Sequence, residues 1–488
     1  MSLPNPQAQA IALNRFGLGA RPDEAPPSDP KRWLLDQIDA FEPKPAAFAA
    51  LPAPGSLAHD YFQEVGELIK QMGAAPTPPG APVPMPAAPM PGDAQAKLAR
   101  QQRREALNVE VRDTYRLAVN ARMASALTTE TPFAERLASF WSNHFALSIE
   151  KPQVGIYAAD FELNAIRPHI MGKFEDMLVA VERHPAMLYY LDQFRSVGPD
   201  SLFGQRANLR RPDRKIGLNE NLAREIMELH TLGVRTGYDQ ADVTEFARAL
   251  TGWSVGGLGP MAGKDNVEVG AFMFRPGIHQ PGARTIIGKR YDQSGEGQAR
   301  AVLHDLALSP ATAKHVSTKL ARHFVADDPP PALVDRMSAA YLSSHGHLPA
   351  IYRVLIDAPE AWATGEPKFK TPWDWTVSAL RGLGRQDLGK LDAAPLLNQL
   401  GQPVWRPGSP AGYDDLSASW VAPDALMRRV ELAQRFAAAA GGQVDARALA
   451  PRLLPGQMTP ATTTALAQAE SGATALALLL VSPEFQRR

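Results

Sequence analysis

The sequence predicts a mainly α-helical protein, a large assembly of many helices with one small β-hairpin element around residues 268–292. Apolar residues recur with the 3.6-residue period of a helix through most of its 488 residues. Hydrophobic residues make up 45% and charged residues 21%, the balance of a globular protein with ample material for a core. Apolar runs stay far below the roughly 20 residues that a bilayer requires, so no membrane span is expected.

An uncharged tract rich in proline and alanine interrupts the helical pattern between Gly73 and Gly92. A helix interior or a central strand does not accommodate so many prolines, so an exposed, partly polyproline loop is expected. The predicted organisation is a helical N-terminal segment at 1–72, a disordered loop at 73–96 and a main helical body at 97–488. The body and the N-terminal segment are expected to form one continuous domain.

Periodic segments on both sides of this tract are predicted to be helices. They are Lys97–Leu127, Pro132–Ser148, Lys173–Gln193, Asn219–Leu232, Asp242–Trp253, Ala299–Leu308, Pro310–Phe324, Pro331–Ser344, Leu348–Ala358, Trp373–Gly384, Pro423–Ala439 and Thr459–Leu479. The β element is predicted from Ala271–Phe274 and Arg284–Tyr291, which have strand-like composition and are separated by turn-forming glycines and prolines. We expect these two segments to pair as a hairpin that projects from the helical body.

Charge and cysteine content exclude several classes of protein. The 51 basic and 51 acidic residues balance, so no global positive field would hold a nucleic acid, and such a partner is not expected. The absence of cysteine excludes disulfides, zinc fingers and thiolate nucleophiles. Residues Met1–Ala20 lack a basic region before an apolar run and a cleavage site, so no signal peptide is expected. As it stands the sequence predicts a cytoplasmic protein, with periplasmic or envelope export as the alternative if a signal has been removed.

The segment Asn219–Gly233 is the most informative predicted helix, because the sequence indicates both where it begins and ends and which residues lie on each face. Asn219 is a suitable N-cap, and Gly233 is a suitable residue just past the C-terminus. At about 100° per residue, the residues of the apolar arc are Leu222, Ala223, Ile226, Met227, Leu229 and His230. Those of the polar arc are Glu220, Asn221, Arg224, Glu225 and Glu228.

The polar arc admits two interpretations. In the functional one, Glu225 and Glu228 project together as ligands of a divalent metal or as an acid/base pair, and Arg224 or Asn221 orients a substrate. In the structural one, Arg224 forms i,i+4 ion pairs with Glu220 and Glu228, as solvated helices commonly do. A Glu-x-x-Glu spacing is common in helices and only weakly specific for a metal or catalytic site. The spacing alone therefore favours the structural interpretation.

Two histidines are predicted to be buried. His230 lies in the apolar arc described above. His144 lies on the apolar face of the predicted helix Pro132–Ser148, with Phe140 and Trp141. A buried imidazole needs a partner, so both are expected to be core histidines bonded to a backbone carbonyl or a carboxylate. If the two helices pack face to face, the alternative is that the pair ligates a metal or a b-type haem, or acts in proton transfer.

Two further polar segments are candidates for binding. His279 lies at the predicted hairpin turn near Arg275 and Lys289, where an exposed ring would contact a substrate. An ordinary polar turn is the alternative. The basic residues between 206 and 215 would hold a phosphate or an acidic surface, with a solvated loop as the alternative, because no glycine-rich phosphate loop accompanies them.

Five segments of the sequence form a recognisable set. They are Leu13–Pro22 (LNRFGLGARP), Phe140–Phe145 (FWSNHF), Asn219–Gly233 (NENLAREIMELHTLG), Ala247–Trp253 (ARALTGW) and Ser482–Gln486 (SPEFQ). Together they resemble the hallmarks of the bacterial domain-of-unknown-function 1800 family. That family has no established activity, so the resemblance implies no catalytic residues. It implies export for many relatives and a sulfatase-like partner encoded nearby, and a second histidine at the position where this chain has Ser142.

Two hypotheses from different classes follow. In the first, the protein is a soluble helical scaffold, and the polar cluster on the helix 219–232 is structural or binds a partner. In the second, it is a metal-dependent or acid/base hydrolase with the two glutamates as metal ligands. The candidate catalytic residues are then Asn221, Arg224, Glu225, Glu228 and His144. An enzyme requires that these side chains converge on an accessible concavity, whereas a scaffold requires only that they bond to one another.

Overall fold

A computed structural model describes residues 5–72, 91–210, 217–257, 267–365, 367–441 and 444–488. Within these ranges the protein is mainly α-helical and has two small antiparallel sheets of two strands each, which confirms the predicted fold class. In the same ranges, no helix is both long enough and apolar enough to cross a membrane.

Most helices in the first half of the chain begin with a proline, whose fixed φ suits the first turn of a helix and whose missing N–H is not needed there. The α-helices of this half are α1 (Pro6–Ala10), α2 (Pro30–Asp39), α3 (Pro54–Met72), α4 (Pro91–Thr128), α5 (Pro132–His144), α6 (Pro152–Asp160), α7 (Phe174–Arg183), α8 (Pro185–Tyr190) and α9 (Leu202–Arg210). The predicted proline-rich loop falls for the most part on 73–90, which lie outside the described residues, and α4 begins at Pro91.

The second half of the chain contains the β element and the remaining helices. The helices are α10 (Asn221–Glu225), α11 (Gln240–Leu250), α12 (Glu296–Ala307), α13 (Pro310–Phe324), α14 (Pro331–Ser343), α15 (Leu348–Asp357), α16 (Pro372–Gly382), α17 (Ala393–Gln399), α18 (Pro423–Ala439), α19 (Ala446–Leu453), α20 (Pro460–Gln468) and α21 (Gly472–Val481). The strands are β1 (Trp253–Val255), β2 (Phe272–Phe274), β3 (Arg284–Ile286) and β4 (Lys289–Tyr291).

Two segments predicted as single helices are each divided in two. The helix predicted at Lys173–Gln193 is wrong as a single element, because Pro185 lacks an N–H and the chain turns at His184, whose ring accepts the N–H of Ala186. The helix predicted at Thr459–Leu479 ends at Gln468, and the Ser471 hydroxyl then caps the start of α21.

The β element differs from its predicted pairing. Its first segment pairs with Trp253–Val255, of which Trp253 is predicted as the last residue of a helix, and its second segment folds on itself as the β3–β4 hairpin. The reason lies at Ile287 and Gly288, which both have positive φ, 48° and 70°. Positive φ at both central residues is the requirement of a tight two-residue hairpin turn. Phe272–Phe274 is therefore left to find another partner strand.

The core is continuous along the chain. Buried apolar side chains from Ile11 to Phe485 form one connected cluster. Near its centre the Phe16 ring stacks on Phe324 with centroids 5.7 Å apart and meets Phe133 edge-on at 5.8 Å. Residues that precede the proline-rich tract are thus packed against α5 and α13. This burial of large rings is a main source of the stability of the fold.

Helix α5 lies within this core and is bonded to three distant parts of the chain. The Trp141 indole donates to the hydroxyl of Tyr352 over 2.7 Å. The Arg136 guanidinium donates to the carbonyl of Gly17 over 2.7 Å and to the carboxylate of Asp374 over 3.0 Å. These bonds fix the position and rotation of α5, and with them the residues Ser142 to His144 at its C-terminal end.

Candidate functional site

The helix that begins near Asn219 is half α and half π. The Asn219 side chain accepts the N–H of Asn221, and after α10 the hydrogen bonding widens to a π-helix at Ile226–His230. The helix ends at His230 with Thr231 as its C-cap, so Gly233 lies one residue further along than predicted. Gly233 has a φ of +94°, and a Cβ there would lie 3.1 Å from the His315 ring. A π-turn inside a helix often occurs at a functional site.

Glu220 is the most fully bonded carboxylate of the polar arc. It accepts the Thr244 hydroxyl over 2.7 Å and the Gln240 amide over 2.8 Å, both on α11, and forms an ion pair with Arg224 at 3.3 Å. These bonds lower the pKa of Glu220, the Thr244 bond most of all. Glu220 therefore fastens α10 to α11, and Arg224 takes part in that junction by also donating to Gln240 over 2.9 Å.

Glu225 and Glu228 are half-buried and, among the described residues, form no hydrogen bond or ion pair. Burial and the neighbouring charge of Glu228 raise the pKa of Glu225, although His230 acts in the opposite direction. No third histidine, aspartate or glutamate in the described part of the chain joins them in a group that could hold a metal ion. Asn221, the polar residue at the start of α10, is exposed.

His230 lies on the buried face, as the helical arc predicts. It is 0% exposed, and its Nδ1 is 2.7 Å from the carboxylate of Glu182 on α7, which is also fully buried. The second Glu182 oxygen and the His230 Nε2 have no hydrogen-bond partner among the described residues. A histidine paired with a carboxylate in the core is the contact expected of a structural histidine.

His144 contacts the end of the same helix. Its Nε2 lies 3.1 Å from the backbone carbonyl of His230, and the rings of the two histidines are 6.3 Å apart. His315 on α13 makes the matching contact, 3.0 Å from the carbonyl of Leu229. A helix leaves its last carbonyls without partners, so two imidazoles from other helices bond to these two. Burial lowers the pKa of His144 well below its usual value, which keeps the ring neutral.

The predicted hairpin histidine is turned inward. His279 is half-buried, with Nδ1 2.7 Å from the carbonyl of Thr251 and its ring edge-on to Phe274. Arg206 and Arg210 belong to α9, while the other basic residues of that segment, at 211–216, lie outside the described residues.

A different part of the molecule contains a polar cavity of about 80 Å³. It lies between the C-terminal end of α5, the end of α13, the start of α16 and the loop at 402–415. Its polar and aromatic lining residues are Arg122, Ser139, Ser142, Asn143, His323, Thr371, Trp373, Asp374, Gln402, Trp405, Tyr413, Asp414 and Asp415. None of the predicted catalytic residues lines this cavity, but Ser142 and Asn143 adjoin His144 in the sequence.

His323 and Asp415 form the titratable pair of the cavity. The Nδ1 of His323 is 3.2 Å from Asp415 Oδ1, and its Nε2 has no partner among the described residues. His323 is 9% exposed, and burial lowers its pKa to about 4, assisted by the charge of Arg488. The bond to His323 lowers the pKa of Asp415 despite its burial. With a charged Asp415 holding the Nδ1 proton, the lone pair on Nε2 is free to accept a proton.

Two tryptophans of the cavity have unusual surroundings. Trp373 and Trp405 are 5% and 6% exposed, and neither indole N–H has a hydrogen-bond partner within the described residues. Trp405 also has a φ of +50°, a conformation that is an outlier for a bulky side chain. Arg122 lies 4.5 Å from the ring centroid of Trp373 and 5.7 Å from that of Trp405, while its charge is paired with Glu162. Strained backbone of this kind concentrates at binding and catalytic sites.

Asn143 is hydrogen-bonded to the loop at 402–415, which contains Trp405 and forms one wall of the cavity. Its side-chain amide donates to the carbonyl of Tyr413 over 2.8 Å, and its oxygen accepts the N–H of Tyr413 over 2.7 Å. The adjacent Gly412 has a φ of +82°, and a Cβ there would collide with the Asn143 carbonyl oxygen. The Tyr413 hydroxyl in turn donates toward the carbonyls of Pro403 and Arg406. The loop is therefore tied both to α5 and to itself.

A family model described as "Protein of unknown function (DUF1800)" matches residues 11–487 of the chain. The chain belongs to this family. No curated protein and no solved structure matches it. The resemblance seen in the five sequence segments is thereby confirmed over nearly the whole length, and the family description assigns no activity.

Two of those DUF1800 segments contribute to the two regions described above, and a third bonds to another part of the chain. Phe140–Phe145 contributes Ser142 and Asn143 to the cavity and His144 to the helix end, and Asn219–Gly233 supplies the carbonyls that His144 and His315 contact. Ala247–Trp253 includes Leu250, whose carbonyl accepts the amide of Gln193. These segments therefore join helices to one another through hydrogen bonds.

Sequence reasoning missed His323, Asp415 and the two tryptophans. One signal was present, because His315, Lys319 and His323 recur every four residues along α13 and therefore lie on one side of the helix. That spacing indicates a polar stripe inside the molecule. Asp415 and Trp405 lie in an irregular loop, and no local pattern relates them to α13.

Proposed function

We propose that the cavity between α5, α13 and the loop at 402–415 is an acid/base active site for a small molecule with a carbonyl or carboxylate oxygen. The observation that carries this proposal is that three residues lining the same concavity, Trp373, Trp405 and His323, each have a buried ring nitrogen without a partner among the described residues. Buried polar groups normally have partners, so unpaired donors and an unpaired acceptor around one space favour a ligand that supplies them.

The roles of the residues follow from their hydrogen-bonding capacity. An indole N–H can only donate, so Trp373 and Trp405 suit an oxygen that carries or develops negative charge. His323 Nε2 accepts a proton from a water or a hydroxyl, and Asp415 stabilises the imidazolium that results, as in other histidine–carboxylate pairs. A negative charge on the bound molecule would raise the pKa of His323 from about 4 toward the range where a general base is effective.

Binding is tested first, with acetate as the probe of carboxylate chemistry. We expect acetate to shift the indole N–H resonances of Trp373 and Trp405 saturably, with the signals assigned through Trp373→Phe and Trp405→Phe. The indole of Trp375, which donates to the carbonyl of Leu480, is the internal reference. Resonances that move no more than that of Trp375 would argue against a ligand site.

Catalysis is tested with p-nitrophenyl acetate as a small ester. If the proposal holds, His323→Gln and Asp415→Asn lower the hydrolysis rate by about 100-fold or more, the usual contribution of a general base. His304→Gln, which changes an exposed histidine paired with Glu175, is the matched control. Equal rates in folded His323→Gln and the unchanged protein would rule out this role for the ring.

A second proposal concerns the helix 219–232, and the bonds of Glu220 favour it. We propose that the polar arc there is mainly structural at Glu220 and Arg224, and that Glu225 and Glu228 present their charge to a partner such as a sulfatase-like protein. Co-purification with that protein, lost on changing both glutamates to glutamine, tests the interaction. A divalent metal on these glutamates remains a prediction, which metal analysis of the purified protein would check.

A further inference from the structure

A second, larger cleft of about 630 Å³ opens at a separate place, where the N-terminal helix meets α20 and α21. Its wall is built largely from aliphatic side chains: Ala10, Ile11, Ala461, Ala465, Leu466, Leu478 and Val481. Leu478 is 37% exposed, so the apolar surface continues to the rim. An apolar cleft of this size is the usual form of a small-molecule site.

Two buried arginines lie at this apolar wall. Arg15 and Arg488 line the cleft and are 5% and 6% exposed. One guanidinium nitrogen of Arg15 donates to the carbonyls of Ala361 and Ala363, but its Nε has no partner among the described residues. The Nε and Nη1 of Arg488 likewise form no hydrogen bond there, although Nε lies 3.3 Å from Asp374 Oδ2 in an ion pair.

Among the described side chains, basic groups outnumber carboxylates around these two arginines. Asp374 is shared between Arg136 and Arg488, and Arg15 forms no ion pair with a carboxylate of the described residues. Burial and the neighbouring charge of Arg488 lower the pKa of Arg15 to about 10. Nearby Lys370 is 1% exposed, and its ammonium lies over the Phe485 ring without a hydrogen-bond partner in the described chain. A low-dielectric region with excess positive charge attracts an anion.

The carboxylate on the wall of the cleft does not supply that anion. Both oxygens of Glu484 accept the Thr462 hydroxyl over 2.9 Å, and one also accepts the N–H of Thr459 over 3.0 Å. These bonds lower the pKa of Glu484 and hold its side chain at the turn before α20. The Glu484 carboxylate is thus bonded to the start of α20 and does not pair with the two arginines that line the cleft.

We propose that this cleft binds an aliphatic chain that ends in a carboxylate, such as a medium-chain fatty acid. Arg15 and Arg488 would hold the carboxylate, and the alanine, leucine and valine side chains of α20 and α21 would cover the chain. A guanidinium suits a carboxylate because two parallel N–H donors match its two oxygens. Burial of the chain adds the hydrophobic contribution of each methylene.

Calorimetric titration with decanoate tests the proposal on the full chain. Decanol has a chain of the same length without charge, and acetate has the charge without the chain. We expect decanoate to bind saturably, at one molecule per protein, and at least tenfold more tightly than decanol or acetate. Absence of saturable decanoate binding, or equal affinity for decanol, would overturn the assignment. Tighter binding of an acetylated apolar tripeptide with a free carboxylate would also overturn it, in favour of a peptide terminus.

Two variants locate the site. Ala465→Trp fills the cleft from an exposed position of α20 and is expected to weaken decanoate binding at least tenfold, whereas Ala467→Trp, exposed on the same helix but outside the cleft, leaves it unchanged. Arg15→Gln should reduce the preference for decanoate over decanol. If that variant fails to fold, Ala465→Trp still decides the question, and unchanged affinity in Ala465→Trp would place the ligand elsewhere.

Discussion

At the scale of single residues, the buried histidines should make the stability of the protein depend on pH. Burial lowers the pKa of His323 and of His315 to about 4, from 6.5 in an unfolded chain. Both rings are neutral above pH 6.5 in either state, so the stabilisation is complete there. Below pH 6.5 the unfolded chain takes up protons first, and the free energy of unfolding falls as the pH drops toward 4.

We expect each of these histidines to account for up to about 3 kcal/mol of that loss. Urea unfolding of the protein and of His323→Gln, measured between pH 4.5 and 7.5, checks this. The variant should lose less stability on acidification, whereas His304→Gln, a change at a surface ion pair, should follow the unchanged protein. Identical slopes for His323→Gln and the unchanged protein would contradict the prediction.

Glu225 and Glu220 belong to one helix but should respond oppositely to loss of charge. Burial raises the pKa of Glu225, so its charged form destabilises the fold. Because solvent screens this half-exposed carboxylate, Glu225→Gln should stabilise the protein at pH 7 by no more than about 0.5 kcal/mol. Glu220→Gln keeps an oxygen that can accept the Thr244 hydroxyl but loses the acceptor for Gln240 and Arg224, and it should destabilise the protein by about 1 kcal/mol. Denaturant unfolding of both variants provides the measurement. A destabilised Glu225→Gln would show that this carboxylate has a structural role.

The burial of single residues could be predicted from the sequence, but their partners could not. The helical arc indicated that His230 is buried and that Glu225 is not on the same face, because both follow from 100° per residue. The Glu182 that pairs with His230 lies 48 residues away, and the carbonyl that His144 contacts lies 86 residues away. Such partners depend on how helices pack, which no local pattern specifies.

At the scale of elements, the side-chain amide of Asn143 joins the loop at 402–415 to α5. Asn143→Ala removes both bonds to the Tyr413 backbone and leaves buried groups without partners, so we expect a loss of about 1–3 kcal/mol. The same variant should be cleaved faster within the loop in limited proteolysis. Asn164→Ala, which changes an exposed amide bonded to Asp160, is the control and should change stability by less than about 0.5 kcal/mol. Unaltered proteolysis of Asn143→Ala would mean that other contacts hold the loop.

The elements show where periodicity is sufficient and where backbone geometry overrides it. α13 spans Pro310–Phe324 as predicted, because a proline at its start and an amphipathic pattern agree. The single helix expected at Lys173–Gln193 was wrong, since the amphipathic pattern continues through Pro185 while the hydrogen bonding cannot. The π-turn at Ile226–His230 was also not predictable, because Ile226, Met227 and His230 are buried there just as the regular helical arc predicts.

At the scale of the whole molecule, a buried cluster of charges joins the two ends of the chain. Asp374 on α16 pairs with Arg136 on α5 at 3.0 Å and with Arg488 at 3.3 Å, and Arg136 also bonds the carbonyl of Gly17. The cluster lies between the two proposed sites, since Asp374 lines the polar cavity and Arg488 lines the apolar cleft. The sequence offers no sign of it, because its members are separated by more than 100 residues.

Asp374→Asn should therefore destabilise the protein far more than a surface change of the same kind. The carboxylate is 5% exposed, and its loss would leave two guanidinium groups buried without a counter-charge, at a cost of about 3–5 kcal/mol. Asp36→Asn, which breaks an exposed pair with Arg32, should cost no more than about 1 kcal/mol. Thermal unfolding followed by both circular dichroism and tryptophan fluorescence measures both variants. If Asp374→Asn and Asp36→Asn unfold at the same temperature, the buried cluster does not hold the chain ends together.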